Sequence, residues 1–285
     1  QHSLQLLPAT PTTTKAWQLL EGSFWHCENS DYPTFDAALS EYLQTCDTPK
    51  RACIAAAGPV IGVTVHLTNH RWTISASALP DTQVTLLNDL QALGHALAPL
   101  GGDNQRKLVV NLGTGLNAAV QHRVNGAPFV PEAEAGHIRL PALQTPQFQD
   151  AVNRCKEAYG SDAAEAVLSG NALPHLHHAL TGERKTAQEI AANWPEPTRS
   201  LLLTVLGHYL GDLALMHLPY GGIWLSGSLG RALASELTNK AFQDSFQARG
   251  PYTGLMENFA FHRLSDPHAA LTGAAAYLQG QAASS

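Results

Sequence analysis

The chain has 285 residues, 44% of them hydrophobic and only 14% charged, with a formal net charge of −6. That length buries a full core as two modest lobes or one large α/β domain without disulfide or metal staples. The negative balance offers no electrostatic footprint for nucleic acid. No apolar run approaches the roughly 18 residues of a membrane span, and the opening QHSLQLLPATPTTT lacks the charged and apolar blocks of a signal peptide. No membrane partner is expected, and the chain is assigned to the cytoplasm. Cys27, Cys46, Cys53 and Cys155 keep no C-x-x-C or zinc-like spacing, so they are expected as reduced thiols.

In chain order, LQLL and then the two arms of WQLLEGSFWHCE read as strands, the latter turning at Glu21 and Gly22. Phe35, Ala38, Leu39, Tyr42, Leu43 and Cys46 recur at helical spacing behind Pro33, predicting an amphipathic helix over a sheet. RACIAAA reads as a buried strand, VIGVTVHL as another after the Gly58-Pro59 turn, and VTLL as a third at 84–87. The last ends at Asn88 and Asp89, directly before helical spacing at Ala92, Leu93, Ala96 and Leu97. Sites in open α/β sheets favour such carboxyl ends of strands.

A second round begins at KLVVNLG, passes the tight Gly113-Thr114-Gly115 turn, and continues through NAAVQHRV, the Asn125-Gly126 hairpin turn and PFVP. Helices follow, one opened by a Thr186-x-x-Glu189 capping box and a long one from about Pro197 to Leu218, then a strand and glycine turn in GGIWLSGSLG. Gly207 and Gly211 inside the long helix predict close helix packing. Strands and a hairpin, then helix, then a further strand thus occur twice, which points to paired lobes: 1–99 with about 266–285 as a small lobe, and 100–265 as a large one.

Asn88-Asp89, Glu134-x-x-His137 and Glu165 are three carboxylates, an amide and an imidazole near element ends. A polyol site wants that set, because sugar hydroxyls both donate and accept and an unmet buried partner rejects the wrong epimer. Singly, each has a plain structural role open to it, such as Asp89 capping a helix. The His175-x-His177-His178 cluster is read as helix surface, since its spacing gathers no three ligands on one face; no metal site is assigned.

The blocks DYPTFDAALSEYL, TNHRW, LLNDLQAL, LGTGLNAAV, EAEAGHIRLP, AEAVLSG and FQARG resemble consecutive blocks of the bacterial glucokinase family, in family order and over nearly the whole chain. The resemblance implies an α/β, two-lobed actin-like (ribonuclease H-like) sugar kinase fold with a cleft between lobes, and a homodimer. Its partners would be glucose or a related hexose, with ATP and Mg²⁺. By it, Asp89 is the catalytic base, Asn88, Glu134, His137 and Glu165 are sugar ligands, and Gly113, Thr114, Gly115 and Gly227 belong to the nucleotide side.

One block departs from the pattern. The family's first phosphate loop, D-x-G-G-T, falls on Ala9-Thr10-Pro11-Thr12-Thr13, where only Thr13 agrees. Pro11 has no N–H to donate, and Thr12 resists the positive φ that glycine adopts. Asn111 and Asn117 replace glycines flanking the second loop, and Ser228 replaces another after Gly227. Removing one preorganised donor from a charge-stabilising site costs on the order of 10²–10³ in rate. The expectation is therefore a glucokinase of weak or lost turnover, with a glucose-binding pseudokinase as the alternative. Regulator relatives carry a helix-turn-helix ahead of the first strand and a cysteine-rich zinc motif after E-x-GH; this chain is expected to open on the first strand and has no such motif.

Overall fold

A computed structural model describes residues 3–8, 13–18, 24–46, 48–67, 70–100, 105–266 and 268–283. By contact the chain divides into two units: residues 1–102, 121–132 and 266–285, and residues 103–120 and 133–265.

The first unit opens with an antiparallel meander of β1 (Ser3–Pro8), β2 (Thr13–Gln18) and β3 (Phe24–Glu28), with Leu6 opposite Ala16 and Ala16 opposite Trp25. The Thr34 hydroxyl accepts the Ala37 N–H at 3.2 Å and starts α1 (Phe35–Tyr42). Phe35, Ala38, Leu39 and Tyr42 form its buried stripe and join Ala52, Ile54 and Ala56 of β4 (Arg51–Ala56) in one core. β4 runs parallel to β1, as a helical crossover requires.

VIGVTVHL is not one strand but two, β5 (Val60–Ile61) and β6 (Thr64–His66), with Val60 opposite Val65. Gly62 turns the chain between them at φ +61°, a conformation closed to the β-branched residues around it. β7 (Thr73–Ser75) completes this small antiparallel sheet. β8 (Gln83–Asn88) then pairs parallel to β4 and hands over to α2 (Asp89–His95) without a loop. The main sheet has the order β3-β2-β1-β4-β8.

A second five-stranded sheet repeats that scheme. β9 (Lys107–Leu112), β10 (Leu116–Val124) and β11 (Ala127–Phe129) come first, the last two closed by Asn125 and Gly126, both at positive φ as a tight hairpin turn demands. α3 (Pro146–Tyr159), α4 (Leu173–Thr181), α5 (Ala187–Asn193) and α6 (Thr198–His217) follow. β12 (Ile223–Ser226) is parallel to β9, α7 (Gly227–Leu233), α8 (Lys240–Gln247) and α9 (Thr253–Met256) intervene, and β13 (Phe261–Arg263) is parallel to β12. The order β11-β10-β9-β12-β13 is again third, second, first, fourth, fifth. α10 (Ala269–Ala283) returns to the first unit, where Leu271, Ala274 and Leu278 pack on Cys53, Ala55, Leu87 and Ala92.

α6 is buried over most of its circumference, which accounts for its lack of a polar stripe. Gly207 and Gly211 let α8 and the residues after it approach as expected: a Cβ at 207 would lie 2.7 Å from the Phe242 carbonyl, and one at 211 would strike the Arg249 guanidinium. The histidine cluster departs from expectation at one member. His177 is only 1% exposed, with Nδ1 2.8 Å from Thr198 Oγ1. It belongs to the α4–α6 packing rather than to the surface, because α4 buries the face that carries Leu173, Leu176 and His177. Burial and Lys185 lower its pKa, against the opposing pull of Glu183.

Candidate functional site

The first unit supplies Asn88 and Asp89. Asn88, not Asp89, is the helix cap: its Oδ1 accepts the Leu90 N–H at 2.9 Å, and its own N–H donates to Gln91 Oε1 at 3.0 Å, a reciprocal capping box. Its Oδ1 also takes the Gln91 N–H of the box, and its Nδ2 donates to the Gly58 carbonyl at 3.1 Å, leaving one amide N–H beyond these bonds. Asp89 is therefore the first residue of α2, where unpaired helical N–H groups favour negative charge, and its Oδ1 accepts the Leu90 N–H at 3.0 Å.

The second unit brings Glu134, His137 and Glu165 together on two linked turns. Glu134 precedes the 3-10 turn Ala135–His137, Glu165 lies in the 3-10 turn Ala164–Ala166, and the Ala164 N–H donates to the Ile138 carbonyl at 2.8 Å. Both carboxylates are tied to the start of β10: the Leu116 N–H donates to Glu165 Oε2 at 2.6 Å, and Asn117 Nδ2 donates to Glu134 Oε2 at 3.1 Å. Tyr159, the last residue of α3, donates its hydroxyl to Glu165 Oε1 at 2.7 Å. Partial burial and that carboxylate push the phenol up to about 12, so it stays a donor across the physiological range.

The glycine turn is contiguous with this group. The Gly113 N–H donates to the Gly115 carbonyl at 2.9 Å, and the Gly170 N–H donates to the Gly113 carbonyl at 2.7 Å. A Cβ on Gly115 would come within 2.6 Å of Glu165 Oε2, so glycine is what lets the carboxylate reach the Leu116 N–H. Gly227 sits at φ +78° at the start of α7 and packs on the Leu112 carbonyl, where no Cβ fits.

A cavity of about 580 Å³ opens beside that turn, lined by Gly113, Thr114, Gly170, Asn171, Ser228 and the stretch Arg184–Glu189. Arg184 and Lys185 put two basic side chains on this wall, the Lys185 ammonium paired to Glu183 at 2.6 Å. Glu189 turns its carboxylate back onto the Thr186 N–H (2.7 Å) and hydroxyl (2.8 Å), and the backbone bond lowers its pKa. Gly113 and Thr114 were expected on the nucleotide side; Arg184, Lys185 and Asn171 were not. The signal available for them was a basic pair directly before a capping box. Of the altered loop Ala9 to Thr13, only Thr13 lies within the described residues, as the first residue of β2.

A family model described as Glucokinase matches residues 13–281. The glucokinase of Allorhizobium ampelinum is 26% identical, covering 93% of this chain and 88% of its own length. That of Chelativorans sp. is 29% identical, covering 88% and 82%. Among solved structures, a glucokinase from an Antarctic psychrotroph superposes with a TM-score of 0.78 at 24% identity, covering 98% of both chains. A ROK hexokinase from Thermus thermophilus gives 0.71 at 18% identity, covering 99% of this chain and 100% of that one. The fold is thus the actin-like, two-lobed fold of these sugar kinases. With the family model matched from the second strand to the last helix, the chain belongs to the glucokinase family.

Proposed function

We propose that this chain transfers the γ-phosphoryl group of MgATP to the 6-hydroxyl of glucose. The observation that carries the reading is that one loop adjoins both candidate substrate regions of the second unit. Gly113 and Thr114 line the cavity, while Gly115 lies against Glu165. The cavity's volume falls in the ~300–1,000 Å³ range of small-molecule sites, and Arg184 and Lys185 suit a polyanionic donor.

The sugar oxygen attacks the γ-phosphorus in line as the bond to the β-phosphate oxygen breaks; the hydroxyl proton passes to Asp89 and ADP departs. Glu134, His137 and Glu165, with the remaining amide capacity of Asn88, hold sugar hydroxyls, so catalysis is mostly alignment plus charge neutralisation. Mg²⁺ would come as part of the MgATP substrate and supply charge neutralisation on its phosphates. The resemblance implies a homodimer, and the cytoplasm is the setting of this reading.

A second reading is favoured by Ala9 to Thr13, which lacks the acid and glycines of D-x-G-G-T: a glucose-binding protein without turnover. Long incubation with glucose, ATP and Mg²⁺, with glucose 6-phosphate detected by mass and Asp89→Asn run alongside, separates the two. Product that disappears in the variant establishes the kinase. No product, with glucose still raising Tm, establishes the second reading.

A further inference from the structure

Asn117 stands where the family pattern has glycine, and in the sequence it counts as a loss. Its geometry is that of a clasp. Nδ2 donates to the Ala133 carbonyl at 3.0 Å and to Glu134 Oε2 at 3.1 Å, while Oδ1 accepts the Ala135 N–H at 2.9 Å and the Ala118 N–H at 2.8 Å. An amide has two donors and two lone pairs, and all four are used here. Three of the bonds hold the turn that carries Glu134 and His137. Tyr209 steadies the same turn from α6 by donating to the Ala135 carbonyl at 3.1 Å. Gly136 packs on the Leu116 carbonyl too closely to admit a Cβ.

We propose that Asn117 is a positioning residue for the hexose: it sets the Glu134 carboxylate before sugar arrives, so that binding need not freeze that side chain. The inference rests on the functional reading above, in which Glu134 meets a sugar hydroxyl. Only a neutral amide of this length serves. Asp would oppose Glu134, and Gly or Ala would leave the Ala133 carbonyl and the Ala135 N–H without these partners.

Calorimetric titration of glucose into the full chain, Asn117→Ala and Asn117→Asp, at pH 8 and pH 5.5, tests it. Asn117→Ala is expected to bind about tenfold more weakly at both pH values, with Tm within a few degrees of the unmodified chain. Asn117→Asp is expected to lose more than that at pH 8 and to recover toward the unmodified chain at pH 5.5. There, a proton shared between the facing carboxylates restores a donor to Glu134. The other titratable groups around the turn, His137 beside it, Glu165 and Tyr159 from the end of α3 onward and Tyr209 on α6, are common to all three chains. Comparison at equal pH cancels them. Unchanged affinity in both variants, or an Asp variant with the same loss at both pH values, overturns the proposal and leaves the functional reading standing. Failure of the unmodified chain to bind glucose overturns both.

Discussion

At the scale of single residues, the candidate site holds carboxylates tied down by neighbouring donors. Glu165 is held at one oxygen by a backbone N–H and at the other by the Tyr159 hydroxyl, so it cannot step aside. Gly115→Ala would put a methyl group 2.6 Å from Oε2. One of those bonds must break, at about 1–3 kcal/mol for the overpacking. Urea denaturation should register that loss and calorimetry an at least tenfold weaker affinity for glucose; unchanged values for both would show that the carboxylate has room to move. As candidates, Asp89, Glu134, His137 and Glu165 were legible in the sequence through their motif blocks. The struts were not: Asn117 reads as a missing glycine and Tyr159 as a helix end, because what they do depends on partners 17 and 6 residues away in the chain.

At the scale of elements, the regular patterns read true where local chemistry decides them. The Asn125-Gly126 turn, the Thr186–Glu189 capping box and the strand ending at Asn88 all lie where the spacing puts them. The stretch after Gly58-Pro59 read wrongly because β-branched composition outweighed one glycine, whereas Gly62 at positive φ divides it. Packing between α6 and α8 shows which of two opposed effects wins. Gly207→Ala gains about 1 kcal/mol of helix propensity, but the new Cβ would meet the Phe242 carbonyl at 2.7 Å and the Phe246 N–H at 2.9 Å, backbone groups that cannot rotate away. Forcing the helices apart costs about 1–3 kcal/mol, so net destabilisation is expected, read as a lower urea midpoint at unchanged m-value. A higher midpoint would mean that the pair yields easily.

At the scale of the whole molecule, acid should weaken the fold well before carboxylates titrate. His95 is buried in α2, its ring edge-on to Tyr277 at 5.1 Å, and burial pushes its pKa down to about 4. The unfolded chain takes up that proton near pH 6.5. The native state is therefore fully favoured above that value and loses ground as pH falls toward 4, by on the order of 3 kcal/mol. Burial also lowers His177 and His208, which act in the same sense. Urea midpoints at pH 7.0, 5.5 and 4.5 should fall steeply for the native chain and less for His95→Gln; equal slopes would remove His95 from the account.

The helix α10 has one more consequence, for the order in which the protein is made. Gly273 presses against the Ala92 carbonyl where no side chain fits, Arg51 donates to the Leu278 carbonyl at 2.7 Å, and Leu271 and Leu278 cover Cys53 and Leu87. One face of the first sheet is therefore closed by residues that the ribosome delivers after the entire run 103–265. At elongation rates of about 5–20 residues per second, β4, β8 and α2 wait on the order of ten seconds or more with that face uncovered. The second unit, drawn wholly from the intervening stretch, has what it needs to fold during the wait.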